Sequence, residues 1–261
     1  MSRMPSLEVP RRIVDEHRAM PPEPPLISCL MVTRGRLVPT QFALDCYRRQ
    51  TWRNRELVVV CDAADSELPA FIAGLGDPTI RYVNTAHATL GELRNVSVEA
   101  SRGTFLCQWD DDDLYHSQRL EFQYGELMAS GKAAHVLSRW LMWWPEQQRL
   151  AISSRRFWEG SMLVHRHALG SYQAVARRED TQVIADMRER GNRIAHSDQP
   201  FAYCYIVHGA NTYGTGHHKK MFAKASEIFS AEEYAGSLEQ FETIFPMRGY
   251  REALARLGRG V

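Results

Sequence analysis

The stretch FLCQWDDDDLYH, residues 105 to 116, places four consecutive aspartates, Asp110 to Asp113, directly after an apolar run. Carboxylates this close repel one another and raise each other's pKa unless a cation neutralises them. In an extended segment residues i and i+2 share a face, so Asp110 and Asp112 would face one site while Asp111 and Asp113 face elsewhere. Oxygen ligands suit a hard ion such as Mg2+ or Mn2+, and Mg2+ takes one or two carboxylates and fills its shell with water and phosphate oxygens. These residues therefore suit the binding of a diphosphate through a metal. The plainer alternative is a solvated acidic turn capping the next helix. Two further places carry residues able to do chemistry: the acid pair Glu179-Asp180, opening a helical pattern, and His208, closing the strand-like YCYIVH.

The aspartates need elements to hold them. LISCLMV (26–32), ELVVVCD (56–62), TIRYV (79–83) and TFLCQW (104–109) read as short buried strands. Between them, PTQFALDCYRRQ (39–50), SELPAFIAGLG (66–76) and LGELRNVSVEASRG (90–103) repeat apolar residues at helical spacing, the last predicted to close at Gly103; SQRLEFQYGELMASG (117–131) is the next helix. Strands alternating with helices of this length predict βαβ units and a mostly parallel sheet. Ligands of such sheets bind beyond the carboxyl ends of the strands. Thr33–Arg36, Asp62 and Asp110–Asp113 all fall there.

The second half is less regular. HVLSRWLMWWPEQQRLAI (135–152) predicts strands around a turn, followed by a strand SMLVH (161–165), a helix EDTQVIADMRERG (179–191) and strands RIAH (193–196) and FAYCYIVH (201–208). Residues 1–25, ending in PPEPP, predict an extended arm, with the fold starting at Leu26; residues 216–261 predict a helical tail. Trp140, Trp143, Trp144 and Trp158 lie close in sequence and suit either stacking on sugar rings or core packing. His217 and His218, in GTGHHKK, suit either a phosphate contact or a solvated loop.

A formal net charge of +1 gives no global field that would select nucleic acid or membrane. Five cysteines, with no CxxC spacing, predict buried free thiols in a reducing compartment. No apolar run is long enough to cross a membrane, and MSRMPSLEVPRR lacks the apolar stretch of a secretory signal. The expected location is cytoplasmic, with a peripheral contact at the inner membrane face left open.

Several segments, taken in order, resemble a family 2 glycosyltransferase of the inverting, DxD-containing GT-A type: ISCLMVTRGR, RRQTWRNRELVVVCDAADS, LRNVSVEASRGTFLCQWDDDDLYHSQRL, ARREDTQVIADM and YCYIVHGANT. The resemblance spans roughly residues 26 to 215. It implies a Rossmann-like α/β fold with a nucleotide-binding half (26–115), an acceptor half (116–215) and the tail outside both. It implies transfer of a sugar, with inversion and without a covalent intermediate, from a nucleotide diphosphate donor, UDP above all, to a hydroxyl of a glycan or lipid-linked acceptor, with Mn2+ or Mg2+ as cofactor. Asp112 and Asp110 match the DxD, Asp112 being the direct metal ligand. His208 is a third ligand or a diphosphate contact. Asp111 and Asp113 would touch donor sugar or ribose hydroxyls, and Asp62 the nucleotide base, although Cys61-Asp62-Ala63-Ala64 stands where the family often has a double Asp and Gly-Ser. Thr33 and Arg36 would line the nucleotide pocket. Arg94 and Asn95 match an Arg-Asn pair near the pyrophosphate or sugar. In Glu179-Asp180, Asp180 matches the general base. Trp158, Glu159 and Gly160 are candidate acceptor contacts.

Two other classes remain. A nucleotidyltransferase acting on sugar phosphates would want a glycine-rich first loop, of which Gly35-Arg36-Leu37 is a faint echo. A non-catalytic nucleotide-binding or scaffold module is the other. The tail would cover the active site, mediate a homo-oligomer or touch a membrane carrying the acceptor.

Overall fold

The structure is a computed structural model, which describes residues 9–15, 20–63 and 67–256. The expected arm at 1–8 and 16–19, the start of the second helix at Ser66 and the tail's end at 257–261 lie outside the described residues.

Elements follow in chain order as β1 (Ile27–Thr33), α1 (Leu37–Arg48), β2 (Arg55–Cys61), α2 (Leu68–Gly74), β3 (Ile80–Asn84), α3 (Leu90–Ala100), β4 (Phe105–Gln108), β5 (Leu114–Tyr115) and α4 (Arg119–Ser130). Then come β6 (Ala134–Leu137), β7 (Leu141–Trp144), β8 (Arg149–Ile152), β9 (Trp158–His165), α5 (Glu179–Glu189), β10 (Ile194–Ser197) and β11 (Tyr203–Ile206). The chain closes with α6 (Thr215–Ala223), β12 (Glu227–Ile228), α7 (Ala231–Phe241) and α8 (Met247–Arg256).

Seven strands form the main sheet in the order β10-β6-β9-β4-β1-β2-β3. The β1–β2, β1–β4, β2–β3 and β6–β10 pairs are parallel, whereas β9 runs antiparallel to both β4 and β6. Both faces are covered, which is why β1 and β2 read as unbroken apolar runs. Cys29, Met31, Leu57 and Val59 enter one apolar cluster, and their neighbours Leu30, Val32, Val58 and Val60 the other.

A second sheet, β12-β8-β7-β11-β5, was not foreseen from the sequence. It binds the segment beyond residue 216 into the molecule. Phe222, Phe241, Phe245 and Tyr250 are fully buried, and β12 pairs with β8. The tail is therefore not purely helical, and its aromatic side chains pack inside the fold rather than facing a partner. The lead-in before Leu26 also needs correction: Ile13 and Val14 are buried, and the Ile13 amide donates to Gln118 Oε1 at 2.9 Å.

Gly103 does not close α3. That helix ends at Ser101, in extended conformation. Gly103 is needed for close approach, because a Cβ there would lie 2.7 Å from the Ser28 backbone nitrogen and 2.8 Å from the Leu26 carbonyl oxygen. Backbone atoms of a central strand cannot step aside, so Gly103→Ala is expected to cost about 1–3 kcal/mol in denaturant unfolding. By contrast, Gly131 and Gly191, at φ of 60° and 81°, follow α4 and α5 as left-handed stops.

Candidate active site

A cleft of about 570 Å3 opens beyond the carboxyl ends of β1 and β4, with the amino end of α5 on its far wall. The chain turns at Asp111-Asp112, and the four aspartates alternate in exposure through that turn. Asp110 and Asp112 keep side-chain exposures of 22% and 14%, whereas Asp111 and Asp113 are buried.

The two inward aspartates are satisfied by the protein. Asp111 accepts from Thr33 Oγ1 at 2.5 Å and from Arg36 through both carboxylate oxygens. Asp113 accepts from Tyr203 Oη at 2.5 Å and from the Ile206 amide at 2.9 Å. Asp111 thus fastens the turn to the loop after β1 and Asp113 fastens it to β11, while both still border the cleft. Burial, together with the neighbouring aspartates, pushes both carboxyls above the usual range, Asp113 strongly; Arg36 opposes this at Asp111. Thr33 and Arg36 are occupied in the same way, although both still border the cavity at the end of β1.

The outward pair differs. Asp110 accepts from Arg94 Nη2 at 2.7 Å and Tyr203 Oη at 3.2 Å. Asp112 Oδ2 lies 2.9 Å from His208 Nε2 and 2.9 Å from Arg36 Nη1. Burial works to raise the Asp112 pKa, but Arg36 and His208 overcome it and hold the carboxyl well below the usual range. Beneath the cluster, Arg119 is buried with its guanidinium 4.6 Å from the Tyr115 ring and 5.1 Å from the Tyr203 ring. Neither Tyr203 nor Arg119 was singled out from the sequence, because their role depends on contacts across the two sheets.

Arg94 is buried and lies 3.5 Å from Glu179 as well as binding Asp110, while its Nη1 is buried without a hydrogen-bond partner. Asn95 takes another direction. Its amide donates to the Tyr172 carbonyl and its carbonyl accepts from the Tyr172 amide, both at 2.8 Å. It straps the loop before α5 to α3, which corrects its expected place beside the pyrophosphate or sugar. Glu179 and Asp180 open α5 after Arg178, which sits at φ 67°. Burial raises both carboxyls and the negative charge of Asp110 adds to this, against the opposing pull of Arg94. Asp180 accepts from the Thr181 amide at 2.7 Å and, like Glu179, borders the cleft.

The tryptophans separate. Trp140, Trp143 and Trp144 are core residues, while Trp158, stacked on Trp140 with ring centroids 4.3 Å apart, borders the cleft. Glu159 and Gly160 follow it there. A Cβ on Gly160 would meet the Trp158 ring at 3.3 Å and Asp110 Oδ2 at 3.4 Å, so the glycine keeps space beside Asp110. His218 is buried against Tyr205 Oη at 3.0 Å, whereas His217 stacks on Tyr213 at 4.5 Å and faces the cleft. Asp62 stands past the end of β2 with a nearly buried side chain. Its Oδ2 has His87 Nδ1 at 3.1 Å and Arg34 Nε at 3.9 Å as charge partners but accepts no hydrogen bond among the described residues.

Among the described residues, no three His, Cys, Asp or Glu side chains converge to hold a metal by themselves. Asp112 and His208 are in direct hydrogen-bond contact at 2.9 Å, so an ion held by both would take the place of the proton between them. Asp110 borders the cleft beside them and accepts from Arg94 and Tyr203.

A mostly parallel sheet with an acidic turn at the carboxyl end of β4 places the chain among GT-A glycosyltransferases, an assignment the solved structures support. The chain has a TM-score of 0.60 to the mannosyltransferase PcManGT from Pyrobaculum calidifontis in complex with GDP-Man and Mn2+, at 13% identity, covering 77% of this chain and 62% of that one. For S. aureus TarS 1-349 in complex with UDP-GlcNAc the score is 0.58 at 14% identity, over 71% and 59%. The chain belongs to glycosyl transferase family 2, whose profile matches residues 28–169. It is 31% identical over 99 residues to the putative colanic acid biosynthesis glycosyl transferase WcaA of Escherichia coli (strain K12), covering 37% of this chain and 36% of that protein. In each case the match spans less than two thirds of the relative's length. Among the described residues no helix is long and apolar enough to cross a membrane.

Proposed function

We propose that this glycosyltransferase moves a sugar from a nucleotide diphosphate donor, UDP-linked above all, to a hydroxyl of a glycan or lipid-linked saccharide, with inversion and with a divalent ion. One observation carries the reading: Asp112, which His208 meets from behind at 2.9 Å, and the raised carboxyl of Asp180 border the same cleft. Asp112 and His208 are the residues that would hold the ion, and the imidazole favours Mn2+ over Mg2+. When bound, the ion supplies positive charge to the leaving diphosphate.

The protein's own groups do the rest. Residues 26–115 form the donor half and 116–215 the acceptor half. Asp62, whose Oδ2 accepts no hydrogen bond among the described residues, accepts from the nucleotide base, and Arg94 offers its Nη1, likewise without a hydrogen bond among them, on the donor side. Asp180 takes the proton of the acceptor hydroxyl as that oxygen bonds to the anomeric carbon in line. The bond from that carbon to the diphosphate oxygen breaks, and its electron pair leaves with the diphosphate. A single displacement of this kind inverts the anomeric centre.

Melting curves with UDP, with and without Mn2+, test the reading. The expected result is a rise in Tm with both together that exceeds the sum of the separate rises. A preference for a nucleoside triphosphate, or no shift with any nucleotide, overturns it.

A further inference from the structure

The inner and outer cations of the cleft are used differently. Arg36 and Arg94 are ion-paired with the aspartates. Arg156, Arg177 and Arg178 also border the cleft, are exposed, and have no salt-bridge partner among the described residues. Arg177 reaches the cavity at the end of β1 and so belongs with the nucleotide end. Arg156 borders only the main cleft, on the side of Trp158 and Glu159. Its guanidinium lies 5.1 Å from the Trp140 ring and 5.5 Å from the Trp158 ring, over the stacked pair, which fixes a long side chain at little entropic cost.

The charges around Arg156 locate it further. Glu159, which borders the same cleft, feels Asp180, Arg156 and Arg188, so Arg156 lies near the acceptor-side acids. Burial raises the Glu159 carboxyl, which weakens it as a competitor for the guanidinium. On the other wall, His217 is lowered by burial and by Arg156 and Lys220, so at neutral pH it is an uncharged imidazole that can still donate a hydrogen bond. An unpaired guanidinium braced on two indoles, with a hydrogen-bond donor opposite, is the chemistry that recognises a carboxylate or phosphate.

We propose that Arg156 and His217 form an anion subsite at the acceptor end of the cleft, and that the acceptor saccharide carries an acidic group. This rests on Asp180 marking the acceptor end, as in the proposed function. The negative charge has two chemical sources, a carboxylate on the sugar itself or the diphosphate of a lipid carrier.

Saturation-transfer NMR on the full chain loaded with UDP and Mg2+ separates these outcomes. One pair of probes is p-nitrophenyl β-D-glucuronide and p-nitrophenyl β-D-glucoside. The second is glucose on a short prenyl diphosphate and the same sugar on the uncharged prenyl ether. At least one charged probe is expected to bind about tenfold more tightly than its neutral twin. A glucuronide preference assigns the charge to the sugar, and a diphosphate preference assigns it to the carrier. Arg156→Gln should abolish that preference, Arg156→Lys should restore most of it, and UDP affinity should stay constant in both. If neither charged probe gains over its twin, or Arg156→Gln keeps the gain, the subsite is overturned while the donor reading stands. If Arg156→Gln weakens UDP instead, the residue serves the donor and the subsite is again overturned. Failure of the unaltered protein to bind UDP removes the proposed function and this inference together.

Discussion

Asp112→Asn is expected to lower sugar transfer by about 10^2–10^3-fold, the range seen when one preorganised charge at a reacting centre is lost. Of the four aspartates, Asp112 is the one whose carboxylate meets His208 at 2.9 Å while remaining partly open to the cleft. The amide has nearly the same shape but cannot supply the negative oxygen that a hard cation requires. The turn itself should hold. Asp111 keeps Thr33 and Arg36, and Asp113 keeps Tyr203 and the Ile206 amide. Titration of UDP with and without Mn2+ gives the check: the substituted protein should bind UDP equally in both conditions, with a Tm near that of the unaltered chain. If its UDP affinity still rises with Mn2+, Asp112 is not the metal ligand.

The second large effect concerns Asp180. Asp180→Asn should reduce transfer by about 10^2–10^4-fold and leave donor affinity unchanged, since a general base acts only when the acceptor proton moves. Burial and Asp110 raise the carboxyl, so the acid limb of the rate should lie above the range of an ordinary aspartate. The sign follows from the role: the base must be ionised, so the rate falls as pH drops through that raised value. Asp110 contributes to the rise, so Asp110→Asn should move the limb to lower pH as well as reducing the rate. A near-normal rate for Asp180→Asn, measured as released nucleotide with acceptor present, removes the base assignment.

How much of this was legible in the sequence depended on the range of the contacts. β1, β2 and the helices between them were readable because a parallel strand covered on both faces is an unbroken apolar run, flanked by segments of helical period. The strands of the second half were also visible as apolar runs. Their division between two sheets was not, since four-residue strands carry no local mark of which partner they pair with. Gly103 shows the same limit. Locally it looks like a helix stop, but its cause is Ser28, brought close by the β1–β4 pairing.

At the site, the aspartates alternate as strand spacing predicts, although the segment is a turn beyond the end of β4. Their partners were not legible, because Arg36, Tyr203 and His208 lie 75, 90 and 96 positions away. Asn95 looked like a ligand contact and is a strap, because nothing near it in sequence reveals that the Tyr172 backbone comes to meet it. Arg156 was passed over because a lone arginine between a bend and a strand resembles any solvated residue until its two indole supports are seen together.

The turn at 110–113 grows from the main sheet, whereas His208 follows β11 in the smaller one. An ion seated between Asp112 and His208 would therefore rivet two separately built layers, alongside the hydrogen bond that the Ile206 amide donates to Asp113. Any slip of one layer against the other would open that grip, so substitutions deep under β7 and β11, far from substrate, should loosen the hold on the cation before they unfold the chain.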